Sequence, residues 1–417
     1  MPTLRNNYEY LFCGAGPAGL GPIIAAARLG RLEYLLDKGI ILADPAGPGG
    51  GGMPHYRISA NSLGGAFLEC LDDLQNPVFT AVREHPETRR LRELSAEHPP
   101  LPLVGRFLDR LGAAIGELVA AHPRCAVLRA PVERIRLTED GLVDAQVGGE
   151  QVRARRAVLA LGGRPMDGYR RAEVRPGLSL AAHQHKVCHA EALIDDRQAP
   201  PAELLAAIRD TGRVVVLGGS HSAWAAAGLL LSDGHQVTLI HRTPVQLYYP
   251  SAEQAHAEGY PFDPVADICS MSGRVNRYGG LRGAARDLAI RTLRDGGPIR
   301  LLQAGGPANE ALAEAGAIVA ATGYQAILPP IEYPDGGELL PALSETGTVV
   351  TGTGHLVDSR GTAHPRLIAF GLGAGLAVAP EIGGEPSFTR RAVGIWLYHH
   401  DIGRTILDEL LTPAEVR

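Results

Sequence analysis

Aromatic residues make up only 5% of the 417-residue chain. That scarcity argues against a surface built to stack single-stranded nucleic acid. Excess positive charge is also lacking: 40 basic residues face 45 acidic ones, for a formal net charge of -5. Proteins that hold nucleic acid by neutralising phosphates carry the opposite balance. No apolar run reaches the roughly 18 residues that cross a bilayer, so no membrane partner is expected. The N-terminal stretch from Met1 to Tyr10 is polar and has no signal-peptide core, which points to a cytoplasmic protein. Lysine occurs only as Lys38 and Lys186, so arginine supplies nearly all the basic charge.

Paired cysteines are missing as well. Cys13, Cys70, Cys125, Cys188 and Cys269 are widely spaced, and no two form a CxxC motif. This does not suggest a disulfide framework or a cysteine zinc site, and it removes the usual redox-active disulfide. No Gly-x-Ser-x-Gly elbow supports a hydrolase. His399 and His400 are adjacent on an expected C-terminal helix, residues 390–411. Neighbours on a helix do not share a face, so they make no metal pair. No zinc or iron ligand set is expected.

What is present is glycine, 52 residues, and proline, 31 residues, spread along the chain. That distribution predicts many tight loops between short elements. The length allows roughly two to three domains. Residues 8–13 read as a buried strand. The turn Gly14-Ala15-Gly16-Pro17-Ala18-Gly19 follows, then an apolar helix over 20–29, then a strand over 40–43 closed by Asp44. Gly14 permits the tight turn, Gly16 lets backbone approach a pyrophosphate, and Gly19 packs helix on strand. The helix N-terminus offers free N–H groups to phosphate, and Asp44 can accept ribose hydroxyls.

A second unit begins at Arg213. A strand over 214–217 leads into Gly218-Gly219-Ser220-His221-Ser222-Ala223, a helix over 224–231 and a strand over 236–240. Ser220 replaces the second glycine and brings a hydroxyl suited to phosphate. Arg242 stands where an acid would select NAD. It suits a 2'-phosphate and therefore NADP, or else it is a solvated surface charge. Two more buried strands end in small-residue turns, over 157–163 and over 318–324. A late strand runs into the glycine loop of residues 371–373.

This order resembles the flavoproteins with two dinucleotide-binding domains, over nearly the whole chain. Gly14, Gly16, Pro17, Ala18, Gly19 and Asp44 match the motif that holds FAD. Gly218, Gly219, Ser220, His221, Ser222, Ala223 and Arg242 match the nicotinamide-cofactor motif. Ala321-Thr322-Gly323-Tyr324 is similar to the hinge of the class B flavin-dependent monooxygenases. Gly371 and Gly373 take the flavin-closing position. The resemblance implies an α/β fold with two Rossmann-like domains, the NADP domain (171–325) inserted into a discontinuous FAD domain (1–170 and 326–417). It further implies an NADPH-dependent FAD monooxygenase that forms a flavin C4a-hydroperoxide and oxygenates a small molecule, foremost an amine or amino-acid nitrogen. Oxygen and a small molecule are then its partners, and homo-oligomers are common in such families. A flavin electron-transfer reductase shares the architecture, and a flavin-binding sensor without turnover is a third reading. The Gly-to-His spacing of the flavin-containing and Baeyer–Villiger enzymes is not intact around His183, His185 and His189.

Residues 47–62 follow the ribose acid and begin with a run of glycines, which lets backbone approach a cofactor closely. Asn61 and Ser62 are the candidates for hydrogen bonds near flavin N5, or they cap a turn. Arg57 pairs with a substrate carboxylate, or with a surface acid. Asn276 and Arg277 lie in a polar cluster with Arg274, Tyr278 and Arg282 that suits an anionic substrate, or forms a surface loop.

Overall fold

The computed structural model describes residues 7–167, 173–175, 178–294, 296–377 and 382–412. The expected domain boundary at residues 170 and 171 lies outside them. Within them the chain builds two large sheets.

The first sheet has a parallel core of five strands in the order β3-β2-β1-β6-β14. These are β1 (Tyr8–Cys13), β2 (Ile40–Ala43), β3 (Ala126–Leu128), β6 (Glu150–Leu159) and β14 (Ala363–Ala369). The strands β4 (Val132–Leu137) and β5 (Val143–Val147) extend it as an antiparallel meander. β6 joins the two parts. One of its edges carries β1, and the other carries β5 over its first half and β14 over its last three residues. The core strands are apolar on both faces, as helix-covered parallel strands must be.

The register sets the position of the site. Cys13 pairs with both Ala43 and Leu159, and Leu159 pairs with Ala369. All four strands therefore end at one edge, and the turns after them emerge side by side. In open α/β sheets ligands bind outside such carboxyl ends.

The second sheet is inserted between the halves of the first. It is wholly parallel, in the order β8-β12-β9-β10-β11. Its strands are β8 (Val187–His189), β9 (Arg213–Leu217), β10 (Gln236–His241), β11 (Ile299–Gln303) and β12 (Ala317–Ala320). Leu217 pairs with Ile240 and Ala320, so the turns after these strands also share one edge. The chain passes between the sheets twice, through β7 (Gly163–Pro165) and β13 (Tyr324–Ala326). These two pair antiparallel, with Pro165 opposite Tyr324. No helix among the described residues is long and apolar enough to cross a membrane.

The expected C-terminal helix over 390–411 is two helices instead. Residues before Gly394 are not helical, and the helix Ile395–His399 is separated from Asp401–Leu411 by His400 at φ -125°, ψ -103°. The break comes from packing. Side chains added at Gly21 and Gly403 would each overlap the Tyr398 carbonyl, so the two helices wrap closely over α1 (Gly21–Arg28). An unbroken helix would not follow that path.

Candidate functional site

At the first turn, Gly14 has φ 92°, and a Cβ there would overlap the backbone at Ala160. Its N–H bonds to the Ala43 carbonyl at 2.8 Å. A Cβ at Gly19 would overlap the Gly14 carbonyl, which fixes how α1 leaves the turn. A Cβ built at Gly16 meets nothing within 4 Å, so the space before it is open. Asp44 accepts the Ala15 N–H and the Ala46 N–H, each at 2.9 Å. Its carboxylate keeps lone pairs for hydroxyl donors. Pro17 and Ala18 form the half-buried rim.

Two loops cover this turn. Gly49 donates to the Ala15 carbonyl at 3.0 Å, which lays residues 47–52 against it. Gly371, at φ 111°, comes so near that a Cβ would lie 3.0 Å from the Ala18 methyl, and Gly373 packs against Gln325. Beneath the turn sits His399, 2% exposed, bonded to the backbone at Pro17. Burial pushes its pKa down to about 3, so the ring is neutral near pH 7. Its Nε2 has no hydrogen-bond partner.

At the second turn, Gly218 has φ 138°, and a Cβ would overlap the Ala321 carbonyl. Gly219 sits beside His241, and Ser220 stands at the N-cap position of α2 (His221–Ser232) in extended conformation. The Ser220 hydroxyl accepts no capping bond. N–H groups of the first helical turn thus stay open to an anion. Ser222 and Glu191 both bond the Tyr324 hydroxyl, and burial raises that phenol's pKa. The Thr322 hydroxyl and Glu191 Oε1 are buried without partners. Gly323 turns the chain at φ 102°. Arg242 lies past the end of β10 and pairs with exposed Glu345 at 3.3 Å.

The open space at Gly16, the uncapped α2 and the unpartnered Thr322 hydroxyl all fit a dinucleotide at each turn. The residues that would hold one are those of the first turn with Asp44, and those of the second with Arg242 and Thr322.

The remaining candidates fall in two places. Arg57 and Asn61 line a cavity of about 530 Å³ together with His221, Trp224, Arg282 and Arg291. Arg57 also donates to the Leu193 carbonyl at 2.6 Å. Ser62 is not among the lining residues; its backbone bonds His98. Asn276 and Arg277 are not among the lining residues, although Arg282 of the same stretch is, and it bonds the Arg277 carbonyl. Asn276 is fully buried at φ 48°, and its amide donates to Leu247 O at 3.0 Å and the Tyr260 hydroxyl at 3.1 Å. Its Oδ1 has no partner. Arg277 donates to Ile382 O at 2.8 Å. Buried Glu385 holds the same loop through the N–H groups of Tyr278, at 2.8 Å, and Gly279, at 2.7 Å.

Trp224 and Arg291 did not stand out in the sequence. One signal was available for Arg291: Ala284, Leu288 and Arg291 share one face of α3 (Gly283–Leu293), and all three line the cavity.

The sequence pattern of the pyridine nucleotide-disulphide oxidoreductases matches residues 8–260. The CMP-5'-(3-aminopropyl)phosphonate hydroxylase of Streptomyces rubellomurinus is 38% identical over 97% of this chain and 98% of its own. The fold is similar to the ornithine N-hydroxylase of Kutzneria sp. 744, solved with reduced FAD, NADP+ and L-ornithine. That likeness has TM-score 0.53 and 15% identity over 97% of this chain and 99% of the other. It is also similar to L-lysine 6-monooxygenase from Pseudomonas syringae, with TM-score 0.51 and 17% identity over 97% and 99%. These likenesses establish an α/β fold of two Rossmann-like dinucleotide-binding domains.

Proposed function

Because the chain belongs to the pyridine nucleotide-disulphide oxidoreductase family, we propose that it is an NADPH-dependent FAD monooxygenase that hydroxylates the nitrogen of a small primary amine. It is a flavin-dependent oxidoreductase, and its five cysteines are free rather than paired. The observation that carries the reading is the end-to-end match, at 38% identity, to a hydroxylase whose named substrate bears an aminopropyl arm. In this reading the amine is one carried, as there, on a nucleotide-linked phosphonate. The balanced reaction takes R-NH2, O2, NADPH and H+ to R-NHOH, NADP+ and H2O.

Bound FAD would accept hydride from NADPH and activate oxygen. The chain's own residues bind and orient. The first turn and Asp44 hold the ADP half of FAD, and residues 47–52 with Gly371 and Gly373 exclude water from it. The second turn holds the NADPH pyrophosphate on the α2 N-terminus, and Arg242 reads the 2'-phosphate. Asn61 and Ser62 supply hydrogen bonds at the flavin edge, Arg57 and Arg277 hold an anionic substrate, and buried Asn276 fixes the Arg277 loop through Leu247 and Tyr260. Residues 171–325 form the NADP domain, 1–170 and 326–417 the FAD domain, in a cytoplasmic enzyme.

The test is NADPH oxidation by the FAD-loaded protein with CMP-5'-(3-aminopropyl)phosphonate in air. The expected product is one oxygen atom heavier, in proportion to NADPH consumed. NADPH oxidation that needs an added quinone or ferredoxin and yields no oxygenated amine would overturn the reading.

A further inference from the structure

The cavity of about 530 Å³ lies between two parts of the chain. The loop around Arg57 and Asn61 forms one wall. The helices α2 and α3 of the inserted sheet form the other. We propose that this cavity is the subsite for the nucleoside-phosphate arm of the substrate. The inference rests on the hydroxylase reading and extends it to a place in the molecule.

Charge is the first argument. Arg57 comes from its loop, Arg282 and Arg291 from the N-cap and the last turn of α3; all three converge on the cavity, and among the described residues no Asp or Glu lines it. Two of these guanidiniums are held by neutral groups. Arg57 donates to the Leu193 carbonyl, and Arg282 donates to the Arg277 carbonyl and stacks on the Tyr248 ring with its centroid 4.0 Å away. Arg282 is largely buried, and burial disfavours its charged form. A phosphate supplies the counter-charge that the walls lack, in the planar two-point geometry that suits arginine.

Neutral donors are the second argument. Trp224 lines the cavity, and its buried indole N–H has no acceptor. His221 Nε2 accepts the Arg282 backbone N–H at 3.0 Å. Its ring is neutral, since burial lowers its pKa to about 4, so the proton sits on Nδ1 as a further donor.

Shape is the third. The cavity follows α2 from His221 to Ser232, roughly 16 Å at 1.5 Å per residue. That length suits a nucleoside, two phosphorus groups and a short carbon arm in line. Ile58, Leu229, Leu288 and Pro298 supply apolar wall for the uncharged parts. The volume is within the range of small-molecule sites.

The experiment titrates CMP, which lacks the amine, into FAD-loaded protein saturated with NADP+. Calorimetry reads affinity. Tryptophan fluorescence reports on the site, because Trp224 is one of only two tryptophans. The expected result is one CMP per chain with a fluorescence change. Arg291→Glu, at an exposed position, should weaken binding at least tenfold, and Arg57→Gln should weaken it as well. Arg209→Glu makes the same charge change on the helix Ala202–Thr211, outside the cavity lining, and should leave affinity unaltered. Absence of CMP binding, equal affinity in Arg291→Glu, or displacement of CMP by rising NADP+ would each overturn the assignment. If CMP binds as expected while no amine is oxygenated, the cavity assignment stands and the hydroxylase reading falls. If the amine is hydroxylated with a KM untouched by Arg291→Glu, the hydroxylase reading stands and the cavity assignment falls.

Discussion

The turn at residues 14–19 is covered by two loops and backed by a fully buried histidine, whereas the turn at residues 218–223 stays half-open beside a cavity. Both use a glycine at positive φ after a parallel strand, so the backbone solution is the same. What differs is the cover. Residues 47–52 and 371–373 reach the first turn from distant parts of the chain. At the second, residues 218–222 stay partly exposed. A ligand at the first turn is enclosed and suits a resident cofactor. A ligand at the second can enter and leave, as a consumed co-substrate must.

Substitutions can break this contrast in graded ways. Gly19→Val drives a side chain into the Gly14 carbonyl. The expected result is loss of flavin absorbance from the purified protein and ~2–3 kcal/mol less unfolding free energy. Full flavin retention would show that close packing at this turn does not hold the cofactor. Gly218→Ala combines a positive φ with overlap at Ala321. Strain of ~1–3 kcal/mol should raise the KM for NADPH by about tenfold or more. Flavin content should not change, and a loss of flavin would mean that the two turns are not independent.

Arg242→Ala should cut the preference for NADPH over NADH, as a ratio of kcat/KM, by about tenfold, worth ~1.4 kcal/mol. An unchanged preference would remove Arg242 from the 2'-phosphate. The last effect concerns His399 and is confined to acid pH. Its folded pKa, about 3, lies below the ordinary value of 6.5. The unfolded chain therefore binds the proton first as pH falls. Stability from this group is complete above pH 6.5 and is lost below it at ~1.4 kcal/mol per pH unit. His399→Gln should flatten the urea midpoint between pH 6 and 4, and an unaltered slope would assign acid sensitivity to other groups.

The glycine turns were legible because each depends on a short contiguous stretch whose backbone geometry few other residues tolerate. The parallel strands were legible as short apolar runs beside those turns. The C-terminal break was not, because residues 395–411 keep helical periodicity through His400, and the break is imposed by Gly21 and Gly403 against Tyr398. The cavity was legible only in fragments. Arg57 and Asn61 were visible as loop residues and Arg282 as part of a cluster, but nothing local brings them to Trp224 and Arg291. The buried centre at Asp358 was invisible for the same reason. That carboxylate accepts Tyr333 Oη at 2.6 Å and bonds His364 Nε2 at 2.9 Å, partners set by the fold of the late strands.

The pairing of Gly163–Pro165 with Tyr324–Ala326 has a further consequence for how such a chain is assembled. Cross-strand neighbours lie only about 5 Å apart. The whole intervening stretch therefore leaves and returns at one doorway. A gene segment can be removed or exchanged there with a short splice, and the outer sheet keeps every one of its strand neighbours. The loop around Arg57 still ties the outer part to the inserted one, through the Arg57 N–H to the Ile194 carbonyl and the Tyr56–Asp195 bridge, so an exchanged segment has to carry a matching face there.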